Sequence, residues 1–253
     1  MNTSSLAAGA MLGAALLLWP AADAMAAELQ VLAGGGIAGP MRELGPAFER
    51  KTGNKVVFRF GTTPELIKLA TGGEPFDLAV VPREVFRDAA AQASVIPGPT
   101  TDVARVGLGV AVRAGAARPD IGTPDAFKRA LLEARSIATI PASAAGAQVM
   151  RAFERLGIAE AIKDKIKVQA APPDIVRAVA SGDAELGIFL INTLTAPGID
   201  VVGPFPADLQ QEVVFTSALA ANAKETEAAK AFLDYLKTPE AAALFRAKGV
   251  TPG

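Results

Sequence analysis

The residues best placed to do chemistry in this chain are glycines and hydroxyl-bearing residues that follow short apolar runs. Gly34, Gly35 and Gly36 come directly after Leu29–Ala33 and before a helical pattern with Pro40 near its first turn and Gly53 just past its end. A strand, a glycine turn and a helix start can present bare backbone N–H groups to an anion. The same run also reads as a tight turn that uses glycine's backbone freedom. Gly61-Thr62-Thr63 repeats the arrangement before Pro64, and its hydroxyls can cap a helix or face a ligand. Arg83 follows the third apolar run, where its guanidinium could fork onto a carboxylate or stand solvated at a helix start. Ser143 and Gln148 lie on a later loop and its helix, with plain exposure the competing reading for Gln148. Asn192 and Thr193 follow another apolar run, where a polar pair can point into a cleft or close an Asx-type turn. Asp77 reads as a turn or helix-end stabiliser and not as a ligand group.

Residues that are missing remove whole classes of chemistry. The 253 residues contain no histidine and no cysteine. Ser-His-Asp and Cys-His nucleophilic sites, thiolate metal sites and imidazole ligation are therefore excluded. The first 26 residues read as an export signal: Leu6–Trp19 is apolar but too short to span a bilayer comfortably, and Ala24-Met25-Ala26 is a small-x-small cleavage site. An uncleaved anchor is the competing reading. Cleavage would take with it the one tryptophan and one acid, Asp23, and leave 25 basic and 25 acidic residues. That balance argues against nucleic acid and anionic lipid as partners. The single Tyr235 cannot make a two-tyrosine ferric site. An exported chain without cysteine must be stabilised by its core.

The elements that position these residues alternate. Strands are expected at Leu29–Ala33, Lys55–Phe60 and Asp77–Val81, with helices at Pro40–Lys51, Glu65–Thr71 and Glu84–Ala91. Arg105–Arg113 is long enough to cross into a second block. There Thr123-Pro124-Asp125 opens a helix, Ser136–Ile140, Lys165–Ala170 and Glu185–Ile191 are strands, and Ala147–Leu156 and Ile175–Ser181 are helices. The return path runs through Val201–Gly203 and Glu212–Ala221 to helices Glu225–Lys237 and Pro239–Ala247. A doubled α/β rhythm with extended crossings describes two lobes, each a mostly parallel sheet flanked by helices, hinged at crossover strands. The expected division is 27–106 with 222–253 for the first lobe and 107–221 for the second. Ligands of open α/β sheets bind beyond the carboxyl ends of the strands, so two such edges would face one cleft.

Several stretches, in this order, resemble the periplasmic molybdate-binding proteins, which have the type 2 periplasmic-binding fold and serve ABC transporters. They are Phe48–Gly53 (FERKTG), Phe60–Thr63 (FGTT), Gly73–Val81 (GEPFDLAVV), Gly182–Gly187 (GDAELG), Ala229–Leu236 (AKAFLDYL) and Thr238–Ala241 (TPEA). The resemblance covers essentially the whole chain after the signal. It implies a small oxyanion, molybdate or tungstate, held without counter-charge by hydroxyls and backbone N–H groups. By position the donors would come from Gly35, Gly36 and Ile37, from Gly61, Thr62 and Thr63, from the loop Ser143–Ala147 that includes Ala144, from the helix start near Ile175, and from the strand end near Leu190. Two positions depart from the family pattern: the first loop has glycine where a serine is usual, and Leu190 stands where a tyrosine is usual. Selectivity then falls to Arg83, the two threonines and the second lobe.

The expectation is a monomeric periplasmic solute-binding protein for a small oxyanion or organic carboxylate, with a membrane permease as partner and no cofactor or metal. The alternative is an aconitate-isomerase-like enzyme on the same scaffold, with Arg83 and the glycine-loop amides as anchors. Its base would be a carboxylate, a lysine or an activated hydroxyl.

Overall fold

The computed structural model describes residues 26–98 and 100–253, so the expected export signal lies outside them except for Ala26. The first block opens with β1 (Glu28–Gly34), whose apolar residues are buried from Leu29 onward, and α1 (Ala38–Thr52). Met41, Leu44 and Phe48 bury one face of α1 at helical spacing, and Gly53 ends it in the left-handed conformation. Next come β2 (Lys55–Gly61), α2 (Thr63–Thr71) and β3 (Leu78–Pro82), every residue of β3 being buried. A single helix is expected over Glu84–Ala91. The chain instead makes a 3-10 turn, Arg83–Arg87, and a short α3 (Ala89–Ala93), because Asp88 breaks the run and caps α3 by accepting from Ala91 N–H.

The crossover strand β4 (Thr101–Arg113) is the spine of the molecule. The second block follows with α4 (Pro124–Glu133), β5 (Ile137–Thr139), α5 (Ala144–Arg155), α6 (Ala159–Ile162), β6 (Ile166–Val168), α7 (Pro172–Ser181), β7 (Leu186–Leu190) and β8 (Ile199–Pro204). The chain returns through β9 (Glu212–Leu219) to α8 (Thr226–Leu236), α9 (Pro239–Ala247) and the short β10 (Thr251–Pro252).

The strands run in the order β2-β1-β3-β9-β4-β7-β5-β6, and β8 and β10 also pair with β4. β1, β2 and β3 are mutually parallel, as are β5, β6 and β7. β4 divides its length between two sheets. Thr101–Gly107 pairs with β9 in the first, and Leu108–Ala111 pairs with β7 in the second. The α/β expectation of sheets flanked by helices is met, with β1–β3 and β5–β7 as parallel cores and every pairing of β4 and β9 antiparallel. One segment moves: Glu212–Leu219, grouped from the sequence with the second lobe, is bonded between β3 and β4 in the first sheet. Nothing in its composition distinguishes those partners, since pairing is set by topology and not by strand propensity.

Asp77 does what its sequence context suggests. Its buried carboxylate accepts from Gln30 N–H at 2.8 Å, Lys224 N–H at 2.8 Å and Glu225 N–H at 3.0 Å, tying β1 to the approach of α8. In the first lobe Phe48, Phe58, Phe232 and Tyr235 pack edge-on and tilted against one another. In the second, Phe127 and Phe205 meet at 4.7 Å.

Candidate functional site

The carboxyl ends of β1, β2 and β7 converge on one cleft, as expected for open α/β sheets. Gly34 and Gly61 are register partners, so the two glycine turns of the first lobe stand side by side. Gly35, Gly36, Gly61, Thr62, Thr63 and Pro82 line the first-lobe side. Ser143, Ala144, Ala145, Pro172, Phe189 and Leu190 face them from the second lobe, and Val213 and Phe215 of β9 complete the floor. The cavity left between the lobes is small, about 30 Å³, room for roughly one water, so a ligand larger than that needs the lobes to part. Among the described residues that line it, none carries a charge.

Three helix starts point here, and each has a local reason. Gly35–Ile37 is a 3-10 turn that runs straight into α1, where the sequence suggests an open loop. Thr62 precedes α2, whose first residues are Thr63 and Pro64. Ser143 caps α5: its hydroxyl donates to Ile140 C=O at 2.8 Å and accepts from Gly146 N–H at 3.0 Å. The expected loop Ser143–Ala147 is therefore the cap and first turn of a helix that begins three residues earlier than its apolar pattern. The two lobes touch at these ends. Ala144 N–H donates to Thr63 Oγ1 at 3.0 Å across the cleft.

The hydroxyls differ in what they can still offer. Ser143 is engaged in its own cap. Thr62 donates through both N–H and Oγ1 to the Glu65 carboxylate, at 2.7 and 2.8 Å, the carboxylate half of a capping box. Thr63 Oγ1 accepts from Ala144 and keeps its own proton for another acceptor. The site thus has fewer free side-chain donors than the sequence suggests.

The remaining expected residues scatter. Arg83 is not a lining residue: its guanidinium is bound to both oxygens of Asp102, at 3.0 and 3.1 Å, on the exposed side of the sheet. A carboxylate partner close at hand satisfied the cation where a ligand had been expected to. Ile37 is fully buried in the first-lobe core. Gln148 is also buried, where exposure was the competing reading; it donates to Glu212 C=O at 3.2 Å while its Oε1 is left without a partner. Ile175 is a core residue packed under Gly187, not a cleft residue. The α7 start offers little else, because Pro172 and Pro173 have no N–H and Asp174 N–H goes to Ala171 C=O. Asn192 bridges the lobes near the cleft by donating to Gly36 C=O at 2.8 Å, so it meets backbone and not open space.

Sequence reasoning missed the apolar floor. Val213 and Phe215 enter only through the pairing of β9 with β3 and β4, which no local pattern encodes. The strand end at Leu190 is legible in the sequence, but as a place for a donor and not as part of an apolar wall with Phe189. A Cβ at Gly36 would lie 2.3 Å from Leu190 Cδ1 and 3.0 Å from Phe215 Cζ, so a side chain here would push the Leu190 tip aside.

A sequence model of the bacterial extracellular solute-binding protein family matches residues 29–251. An aconitate isomerase of Pseudomonas sp is 34% identical, across 98% of this chain and 96% of its own. The molybdate-binding protein ModA of Azotobacter vinelandii is 29% identical, across 94% of both chains. Among solved structures, the Azotobacter vinelandii periplasmic molybdate-binding protein superposes with a TM-score of 0.73 at 20% identity, covering 88% of this chain and 98% of that one. The sulfate-binding protein SubI of Mycobacterium tuberculosis gives 0.74 at 16% identity, covering 89% and 87%.

Proposed function

The chain belongs to the bacterial extracellular solute-binding protein family, as a divergent relative of the periplasmic molybdate-binding proteins, and on that premise we propose that it captures a small anion between its two lobes. The observation that carries this reading is the meeting of two helix starts from opposite lobes. The first turns of α2 and α5 come together at the Thr63–Ala144 contact of 3.0 Å, beside the glycine turns of the first lobe. Helix N-termini carry partial positive charge and unsatisfied N–H groups, so an anion between them is held without a cation. The anion replaces the Thr63–Ala144 bond, taking the Ala144 N–H and the Thr63 hydroxyl as donors. Lobe closure over it is a hinge motion about β4 and β9.

The partner of such a protein is a membrane permease of an ABC transporter, and its place of work is the periplasm. Among the described residues no helix is long and apolar enough to cross a membrane. Thermal unfolding in the presence of molybdate, tungstate, sulfate, citrate and aconitate tests the reading, since a ligand that binds only the folded state raises Tm. A rise with at least one anion is expected. No rise with any of them contradicts it.

A second reading, an isomerase acting on an unsaturated tricarboxylate, is favoured by two observations. One is the 34% identity to an aconitate isomerase. The other is the Thr62 hydroxyl on the cleft wall, hydrogen-bonded to a carboxylate at 2.8 Å. The Thr62 hydroxyl oxygen could take a proton from one allylic carbon while passing its own to Glu65, and the reverse transfer would return a proton to the other allylic carbon as the double bond shifts between them. Incubation with trans-aconitate separates the two readings, because a pure binder leaves the isomer ratio unchanged.

A further inference from the structure

The cleft combines few free donors with a large apolar lining. Thr63, Ala144 and Ala145 stand where the helix starts meet, and Phe189, Leu190, Val213 and Phe215, all buried, line the same cleft. Leu190 packs against the bare backbone of Gly36, where a Cβ would come within 2.3 Å of its Cδ1. The hydroxyls of Thr62 and Ser143 are already engaged with Glu65 and Ile140. Arg83, paired with Asp102, supplies no charge to the lining.

A tetrahedral inorganic oxyanion directs oxygens to every side and needs a donor for each once its water is removed. Here the Leu190–Phe215 wall would leave oxygens against hydrocarbon. A carboxylate gathers its charge at one end and leaves carbon at the other, so a few donors meet its charge and the apolar lining meets its carbon. We infer that Leu190, seated against Gly36 and Phe215, sets the ligand class: a small organic carboxylate whose carbon skeleton lies on this wall, in preference to a tetrahedral oxyanion. The inference rests on the anion-capture reading and narrows it.

The test is a calorimetric titration of protein freed of carried-over ligand by unfolding and refolding, with crotonate, trans-aconitate, molybdate and sulfate. At least one carboxylate is expected to bind at least about tenfold more tightly than either oxyanion, equivalent to 1.4 kcal/mol or more. Tighter binding of molybdate or sulfate overturns the inference and leaves anion capture standing. No binding by any of the four defeats both. Leu190→Thr, with its fold checked by circular dichroism, should weaken the preferred carboxylate about tenfold and leave the oxyanions within about twofold. Unchanged carboxylate affinity in a folded L190T overturns the role given to Leu190. Should L190T fail to fold, Leu190→Val removes a single methylene and should weaken the carboxylate about fourfold. No change in L190V contradicts the assignment in the same way.

Discussion

At the scale of single residues, the site depends on which hydrogen-bonding groups remain free. Thr63 is the hydroxyl that both joins the lobes and keeps a proton to donate. Thr63→Ala should weaken anion binding about tenfold, as expected for loss of one hydrogen bond to a charged group, while Thr63→Ser should keep most of it. Titration calorimetry reads both. Asp77 gives the opposite profile. Asp77→Ala strands three backbone N–H groups and should cost about 2–4 kcal/mol in urea unfolding. The cleft lies at the other end of the strands, so affinity should be unchanged. Glu185 governs part of the acid limb of stability. Arg135 N–H donates to its carboxylate at 2.9 Å and the Arg135 guanidinium lies beside it, so its pKa is held below the ordinary 4.5. A group lowered in the folded state contributes stability above its unfolded pKa and loses it as pH falls through the folded value. Glu185→Gln should therefore lower stability at pH 7 and leave it unchanged at about pH 2. Denaturant midpoints at the two pH values check this. Residue types were legible in the sequence, but their engagements were not. Thr62, Ser143 and Arg83 all looked available, and Glu65, Ile140 and Asp102 claim them through contacts that residue type alone does not reveal.

Among the elements, strands and helices were legible wherever an apolar face repeated, as in β1, α1 and α8. Their starts were not, because caps outrank hydrophobic pattern at helix ends. The beginning of α5 shows what is at stake. A Cβ on Gly146 would lie 1.7 Å from Ile140 C=O, closer than any real contact. Gly146→Ala should therefore displace the Ser143 cap and the Ala144 N–H together. Both stability and anion affinity should fall, and normal values of either would show that the first turn of α5 is more tolerant than its packing indicates. The α7 start, expected to donate, has two prolines in its first turn and so presents the ring of Pro172 to the cleft. At the crossover, Gln210 acts as a piece of strand. Its amide donates to Leu108 C=O at 2.9 Å and accepts from Leu108 N–H at 2.8 Å, at the point where β4 leaves one sheet for the other. Gln210→Ala removes both bonds and should cost about 1–3 kcal/mol. Amide exchange at Leu108 is the direct readout, and it should quicken.

For the whole molecule, the two-lobed plan was legible because the α/β rhythm occurs twice and a long strand separates the blocks. The assignment of β9 to the first sheet was not, since that pairing joins residues more than a hundred positions apart, as Phe215 with Ala104 and Pro82 shows. This single strand brings Val213 and Phe215 to the cleft, so an error in topology becomes an error in the chemistry of the site. The architecture, with helix starts meeting across an uncharged cleft, gives the central claim that one anion is held between the lobes. The measurement that tests it most directly is a crystal structure of ligand-free, refolded protein soaked or grown with the tightest-binding anion of the calorimetric panel. The account predicts that anion in contact with Thr63 Oγ1 and Ala144 N–H, with the direct bond between those two groups replaced. An anion bound outside the cleft, or a cleft in which the Thr63–Ala144 bond persists at saturating ligand, would contradict it.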